Sequence, residues 1–229
     1  MIPLYDIVPA RRFPFVTTLL VALSAGTFIG WQRRVGLNFS SAELGLIPAQ
    51  LNGAAGVTSA GVEHLFTYQF LHGGWMHLLG NLWFLWVFGR SVEHRLGSAR
   101  FLVFYLLCGV AAGLAQVSGS SPGLPVPIIG ASGAISGVLG GYLMLYPRVR
   151  IVTLVPMVIV ARVLAVPAWV FLLIWIGLQV FEEYVSLHSA TAAHSLASNV
   201  AYLAHIGGFL AGLISVALFQ PAQPARRGG

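Results

Sequence analysis

The feature that most limits what this chain can become is a series of long runs almost free of charge. Six stand out: Phe15–Trp31, Met76–Val92, Phe101–Val117, Ser132–Tyr146, Leu164–Phe181 and Val200–Phe219. A bilayer core of ~30 Å takes about 20 apolar residues as a helix. Lipid offers no partner to an open backbone, so runs of this kind must close their own hydrogen bonds. Charged residues make up 8% of the 229 positions, where a soluble domain carries roughly 25%. The predicted fold class is therefore all-α, a polytopic membrane bundle of six transmembrane helices over residues 15–219. Residues 1–14 and 220–229 are left as short tails.

Arginine placement predicts the topology. All twelve cations are arginine. With the N-terminus inside, Arg11, Arg12, Arg90, Arg95, Arg100, Arg148, Arg150, Arg162, Arg226 and Arg227 fall on inner segments, and only Arg33 and Arg34 fall outside. That bias predicts a multi-pass protein with both termini cytoplasmic. The net charge of +6 is spread singly or in pairs between apolar runs. It reads as orientation signal, with the lipid bilayer as partner and no nucleic acid. Arg11 and Arg12 ahead of an apolar run resemble a secretion signal, but no small-residue cleavage site closes the run, so a retained first span is predicted. Cys108 is the one cysteine and has no disulfide partner.

Two stretches fit neither span nor solvated loop. The first outer loop, Gln32 to Trp75, is apolar and rich in Gly and Ala, and is predicted to lie half-buried beside the bundle. Ile151–Val160 is too short to span and contains Pro156, so it is predicted to lie along the interface between the fourth and fifth spans.

The fourth run is also short. At 1.5 Å per residue, Ser132–Tyr146 reaches ~22 Å, less than the hydrocarbon thickness. Arg148 and Arg150 pin its inner end, and the Pro- and Gly-rich "SGSSPGLPVPIIG" before it cannot extend it outward. This helix is predicted to start below the outer surface, with Ser132 on its first turn. A helix start carries unpaired N–H groups and partial positive charge. Irregular backbone at that depth must face protein or a watery cavity. A hydroxyl and free amides at the floor of such a cavity suit nucleophilic attack with oxyanion stabilisation.

A serine needs a base, and intramembrane ionisable groups are functional suspects. His205 lies about one turn into the sixth run, at the depth expected for Ser132; a packing histidine bonded to a carbonyl is the alternative. His77 and Asn81 share one face near the outer end of the second run. They can donate toward an oxyanion or serve as interhelical glue. His64, His94, His188 and His194 fall in loops or at span ends, where solvation accounts for them, and His72 sits just ahead of the second run. The pairs Gly109/Gly113, Gly133/Gly137 and Gly208/Gly212 have small-xxx-small spacing for close helix packing. Every carboxylate (Asp6, Glu43, Glu63, Glu93, Glu182, Glu183) lies outside the runs or at their edges, leaving a Ser–His dyad. One aspartate rules out a paired-aspartate protease, and no His-Glu-x-x-His supports a zinc one.

In order and spacing, "HGGWMHLLGN", "GASGAISG" and "AHIGGFLAG" resemble the three signatures of the rhomboid intramembrane serine proteases. The resemblance implies a six-span rhomboid bundle in a prokaryotic inner or plasma membrane. It implies a serine endopeptidase needing no metal or cofactor, which cuts transmembrane-helix protein substrates near their outer ends. It makes Ser132 the nucleophile and His205 the base, with His77, Asn81 and the Ser132 amide as oxyanion hole. Gly130, Gly133, Gly208 and Gly212 become the helix-contact positions, and Gly208 the close contact between the catalytic helices. A mobile fifth helix and a capping loop at about Glu182–Asn199 are also implied. Two positions depart from the family pattern. Glu63 and His64 stand where many members have Trp-Arg, and Ser136 stands where some have an aromatic stacked on the histidine. Ser136 is then left with helix packing as its role. The alternative reading is an inactive rhomboid-like binder of transmembrane clients. A transporter or channel would spread polar residues along several spans, and the third and fifth have almost none.

Overall fold

The computed structural model describes residues 1–8, 12–54, 56–121, 125–156, 161–188 and 201–221, the side chains of 186–188 excepted. Most of the 220–229 tail and of the capping segment Glu182–Asn199 lies outside the described residues, as do His194 and the side chain of His188.

Six long helices form the body. Helix α1 (Phe15–Val35) contains a π-helical stretch, Phe28–Gln32. A folded outer layer follows, with α2 (Leu37–Leu44) and α3 (Ser59–Thr67) as its main helices. Helix α4 covers residues 75–96 through a second π-helical stretch, Leu85–Gly89. Gly97, at φ +84°, turns the chain directly into α5 (Ser98–Gly119), a backbone conformation open chiefly to glycine. Then come α6 (Ser132–Leu145), α7 (Ala168–His188) and α8 (Tyr202–Phe219). Among the described residues, Phe15–Val35, Ser98–Gly119, Ala168–Val185 and Tyr202–Phe219 are long and apolar enough to cross a membrane. The protein is an integral membrane protein built as a helical bundle.

The helices are joined by a three-stranded antiparallel sheet that the apolar pattern alone does not announce. Strand β1 (Ile2–Asp6) pairs with β2 (Arg150–Pro156), which pairs with β3 (Ala161–Pro167). The Ile151–Val160 run is a strand as far as Pro156, because its β-branched residues suit a pleated surface and two neighbours satisfy its backbone, and its last four residues lie outside the described residues. One expectation is corrected here. The fifth helix starts at Ala168, since Leu164 belongs to β3.

The sheet marks one end of the bundle. Asp6 is buried there. Its carboxylate accepts from Arg90 Nη2 at 3.1 Å, Ser91 Oγ at 2.5 Å and Tyr142 OH at 2.9 Å. Arg95 donates to Gln220 at the same end. The N-terminal strand and the α6–α7 connection thus lie together at one end of the bundle. At the other end the Gln32–Trp75 segment packs as a layer, burying Leu46, Leu65 and Tyr68.

Helix α6 is the innermost rod, buried from Gly133 to Tyr142. A Cβ on Gly208 would run into the carbonyl oxygen of Gly133, one on Gly212 into that of Gly137, and one on Gly140 into that of Phe209. Only glycine lets α6 and α8 approach this closely. Helix α1 is held by Glu93, which is 3% exposed. It accepts from the amides of Val16 and Thr17 at 2.9 and 2.8 Å, from Thr17 Oγ1 at 2.7 Å and from Ser98 Oγ at 2.6 Å. The carboxylate satisfies the first-turn N–H groups of α1 from a different helix, with its charge at the favourable dipole end. Replacing it by Glu93→Gln leaves buried donors with a weaker, half-mismatched acceptor. The expected cost is about 2–4 kcal/mol, read as a lower unfolding midpoint in detergent.

Candidate active site

A cavity of about 1370 Å³ opens at the end away from the sheet, and Ser132, His205, His77, Asn81, Gly130 and Gly133 all line it. The structure thus brings the candidate chemical groups together from α4, α6 and α8.

Ser132 is the first residue of α6, and no side chain caps that helix start. The approach to it is satisfied by protein. Leu46 and Ile128 exchange backbone hydrogen bonds of 2.9 and 2.8 Å, and the Gly130 amide donates to the Tyr68 carbonyl at 3.0 Å. Gly130 has φ +133°. A Cβ there would sit 2.8 Å from His77 Nε2 and 3.5 Å from Ser132 Oγ, so glycine is required both for conformation and for room. His77 and the serine hydroxyl converge on this point.

His77 Nδ1 accepts from the Gly73 amide at 3.3 Å, which leaves the proton on Nε2, the nitrogen beside Gly130. Asn81, 8% exposed, has a buried Nδ2 with no hydrogen-bond partner among the described residues. An unpaired buried amide donor facing a cavity is costly unless something arrives to accept from it. His205 is 9% exposed, and its Nδ1 donates to Gln179 Oε1 on α7. That leaves Nε2 as the nitrogen able to take a proton. No hydrogen bond joins Ser132 Oγ to His205 in this structure; catalytic pairs are often loose before substrate arrives.

The first turn of α8 is held by Gln116 of α5, whose Oε1 accepts from the Ala204 amide at 3.0 Å. Ser136 is 1% exposed and donates to the Ser132 carbonyl at 2.7 Å. It faces helix packing, as its place in the sequence suggests. One aromatic neighbour of His205 comes from another helix, with Trp175 of α7 at 6.0 Å and 42° to the imidazole. Trp175 and Gln179 are the residues sequence reasoning passed over. They sit four apart in "WIGLQV", one face of a helix, inside a run judged almost free of polar groups. Gly208 and Gly212 hold α8 against α6, and Gly133 also meets Ala112 of α5.

Two further histidines are buried, His64 against the expectation of solvation and His72 just ahead of α4. His64 is 6% exposed, and its Nδ1 pairs with Gln50 Oε1 at 2.9 Å, while Glu63 beside it is exposed. His72 is fully buried, neither ring nitrogen has a well-formed hydrogen bond among the described residues, and the ring lies edge-on to His77 at 5.3 Å. Gln32 brackets its backbone, accepting from the amide at 2.9 Å and donating to the carbonyl at 3.3 Å. Among the described residues, no three His, Cys, Asp or Glu side chains come together to hold a metal ion.

The sequence model of the rhomboid domain matches residues 59–222. The chain belongs to the rhomboid family. Rhomboid protease GluP of Bacillus subtilis is 44% identical over 79 residues, 34% of this chain and 15% of that protein. Rhomboid protease GlpG of Salmonella paratyphi A is 30% identical over 133 residues, 57% of this chain and 47% of that protein. The matched stretch spans less than half the length of either relative. The rhomboid match takes in α3 through α8, and with them every residue lining the cavity from α4, α6, α7 and α8.

Burial, with His77 adding to it, pushes the pKa of His72 down to about 4. The unfolded chain therefore takes up a proton near pH 6.5 that the folded protein refuses until about pH 4. Stability is expected to fall as pH drops through that window. The fall should be smaller in His72→Phe, measured by thermal unfolding in detergent at pH 7 and pH 5.

Proposed function

We propose that this protein is an intramembrane serine endopeptidase that cleaves transmembrane segments of membrane proteins near their outer ends. The carrying observation is the convergence at one cavity of a helix-start hydroxyl, an imidazole with its Nδ1 occupied, and an orphaned amide donor. Membership of a family whose relatives GluP and GlpG are named rhomboid proteases supports the same reading.

Ser132 Oγ attacks the carbonyl carbon of the scissile peptide while His205 Nε2 takes the hydroxyl proton. The carbonyl oxygen, now an oxyanion, accepts from Asn81 Nδ2, His77 Nε2–H and the Ser132 amide, whose positive dipole end faces it. The C–N bond then breaks, the departing nitrogen receives the proton from His205, and an acyl ester remains on Ser132. Water entering the cavity loses a proton to His205 and adds to the ester carbonyl; the bond to Ser132 Oγ then breaks, His205 returns the proton to that oxygen, and the carboxyl product leaves. The substrate is a transmembrane helix that must locally unwind to offer an extended peptide at the cavity floor. The arginine bias supports an orientation with both termini in the cytoplasm, and the bacterial relatives support a prokaryotic cell membrane.

Detergent-solubilised protein treated with a fluorophosphonate probe is expected to be labelled in the wild type and not in Ser132→Ala or His205→Ala. Equal labelling of Ser132→Ala would overturn the nucleophile, and an unlabelled wild type would leave a client-binding protein. Turnover of a transmembrane peptide is expected to fall about 10²–10³-fold in Asn81→Ala, with a much smaller change in KM.

A further inference from the structure

Resting on the proteolytic reading above, we infer that Gln179 is the positioning residue for His205. Its side-chain oxygen sets which nitrogen of the base is free and ties the base to the seating of α7.

The argument starts from tautomers. A neutral imidazole carries one proton, and only its bare nitrogen can accept another. Gln179 Oε1 can accept but not donate, so its bond to His205 Nδ1 places the proton there and leaves Nε2 bare. A carboxylate serves this purpose in many hydrolases. Glu182 lines the same cavity from α7, but the acceptor bonded to His205 Nδ1 is the Gln179 amide, and a buried charge in that place would carry a heavy desolvation cost. A neutral amide oxygen orients the ring without that cost.

The ring is gripped from the same helix at a second point. Trp175, one turn before Gln179, lies 6.0 Å from the His205 ring, and stacks at 6.3 Å on Phe209, one turn after His205. Tyr202 meets the ring edge-on at 6.5 Å from within α8. Two of these contacts reach His205 from α7, among the described residues the least buried of the four helices long enough to cross a membrane. Its apolar window has 17% of its residues buried, against 33–44% for the other three. Leu173, Ile174, Leu178, Val180 and Phe181 of α7 face outward. Withdrawal of this helix would remove the Nδ1 acceptor and the indole together, freeing the imidazole to turn or to move its proton to Nε2. The base is ready only while α7 is seated.

The test uses the full chain in detergent, comparing wild type with Gln179→Leu, similar in volume but lacking an acceptor, and Gln179→Glu, which keeps an acceptor oxygen in either protonation state. The first readout is the tautomer of His205 by ¹⁵N NMR of histidine-labelled protein, its signal assigned with His205→Ala. The second is fluorophosphonate labelling of Ser132, separated into maximal rate and half-saturating probe concentration. Wild type and Gln179→Glu should hold the proton on Nδ1, and Gln179→Leu should shift it to Nε2. The maximal rate should fall roughly ten- to hundred-fold in Gln179→Leu, with half-saturation unchanged, and recover to within about threefold in Gln179→Glu. An unchanged tautomer and rate in Gln179→Leu would overturn the inference. So would equal losses in both variants, which mark a packing role, or a wild-type ring protonated on Nε2. An unlabelled wild type would count against the proteolytic reading instead, while the tautomer comparison would still decide the role of Gln179.

Discussion

Backbone contact between α6 and α8 is the constraint on which the rest of the structure depends. Facing glycines leave nothing between the two helices but main-chain atoms, at Gly133 against Gly208 and Gly137 against Gly212. Side chains can change rotamer to absorb a displacement, and a backbone-to-backbone contact cannot. The relative placement of Ser132 and His205 is therefore set by the least compliant kind of packing a helix pair can make. Helix α5 closes the third side, with Ala112 and Cys108 against the same glycine-bearing face, and its Gln116 holds the start of α8.

That packing is consistent with chemistry only because α6 is unfinished at its outer end. Its 14 residues reach ~21 Å, so its free amides and hydroxyl sit below the surface the other helices reach. Exposed backbone at such a depth would be untenable in lipid. The outer layer resolves this by supplying protein partners: Leu46 for Ile128, Tyr68 for Gly130. The polar groups left over, the Asn81 amide above all, face the cavity. At the opposite end, the sheet and the Asp6 cluster anchor the same rods, so that α6 is held at both its ends.

Much of this was legible from residue order. Charge-free runs of bilayer length, the shortness of the fourth, and the helix start at Ser132 all follow from solvation and from what proline and glycine forbid. The glycine spacing likewise announced close helix contact. The sheet was not legible, because a short β-branched run beside arginines reads equally as an interfacial segment until its pairing strands are known, and one of those comes from the far N-terminus. The burial of His64 and His72 was hidden for a related reason. The Gln32–Trp75 segment read as half-buried, which does not say which of its side chains are enclosed, and only the folding of residues 37–70 into a layer buries these two rings.

The sequence by itself determined that this chain lives in a membrane and that one of its apolar helices is too short to cross it, because these are properties of solvation and chain length. Tertiary structure alone decided which polar groups meet. Gln179, Trp175 and His205 gain their relation from the way α7 lies against α8, a through-space contact between stretches that local pattern does not connect. An amide on an apolar helix is silent about its partner until a neighbouring rod brings an imidazole to it.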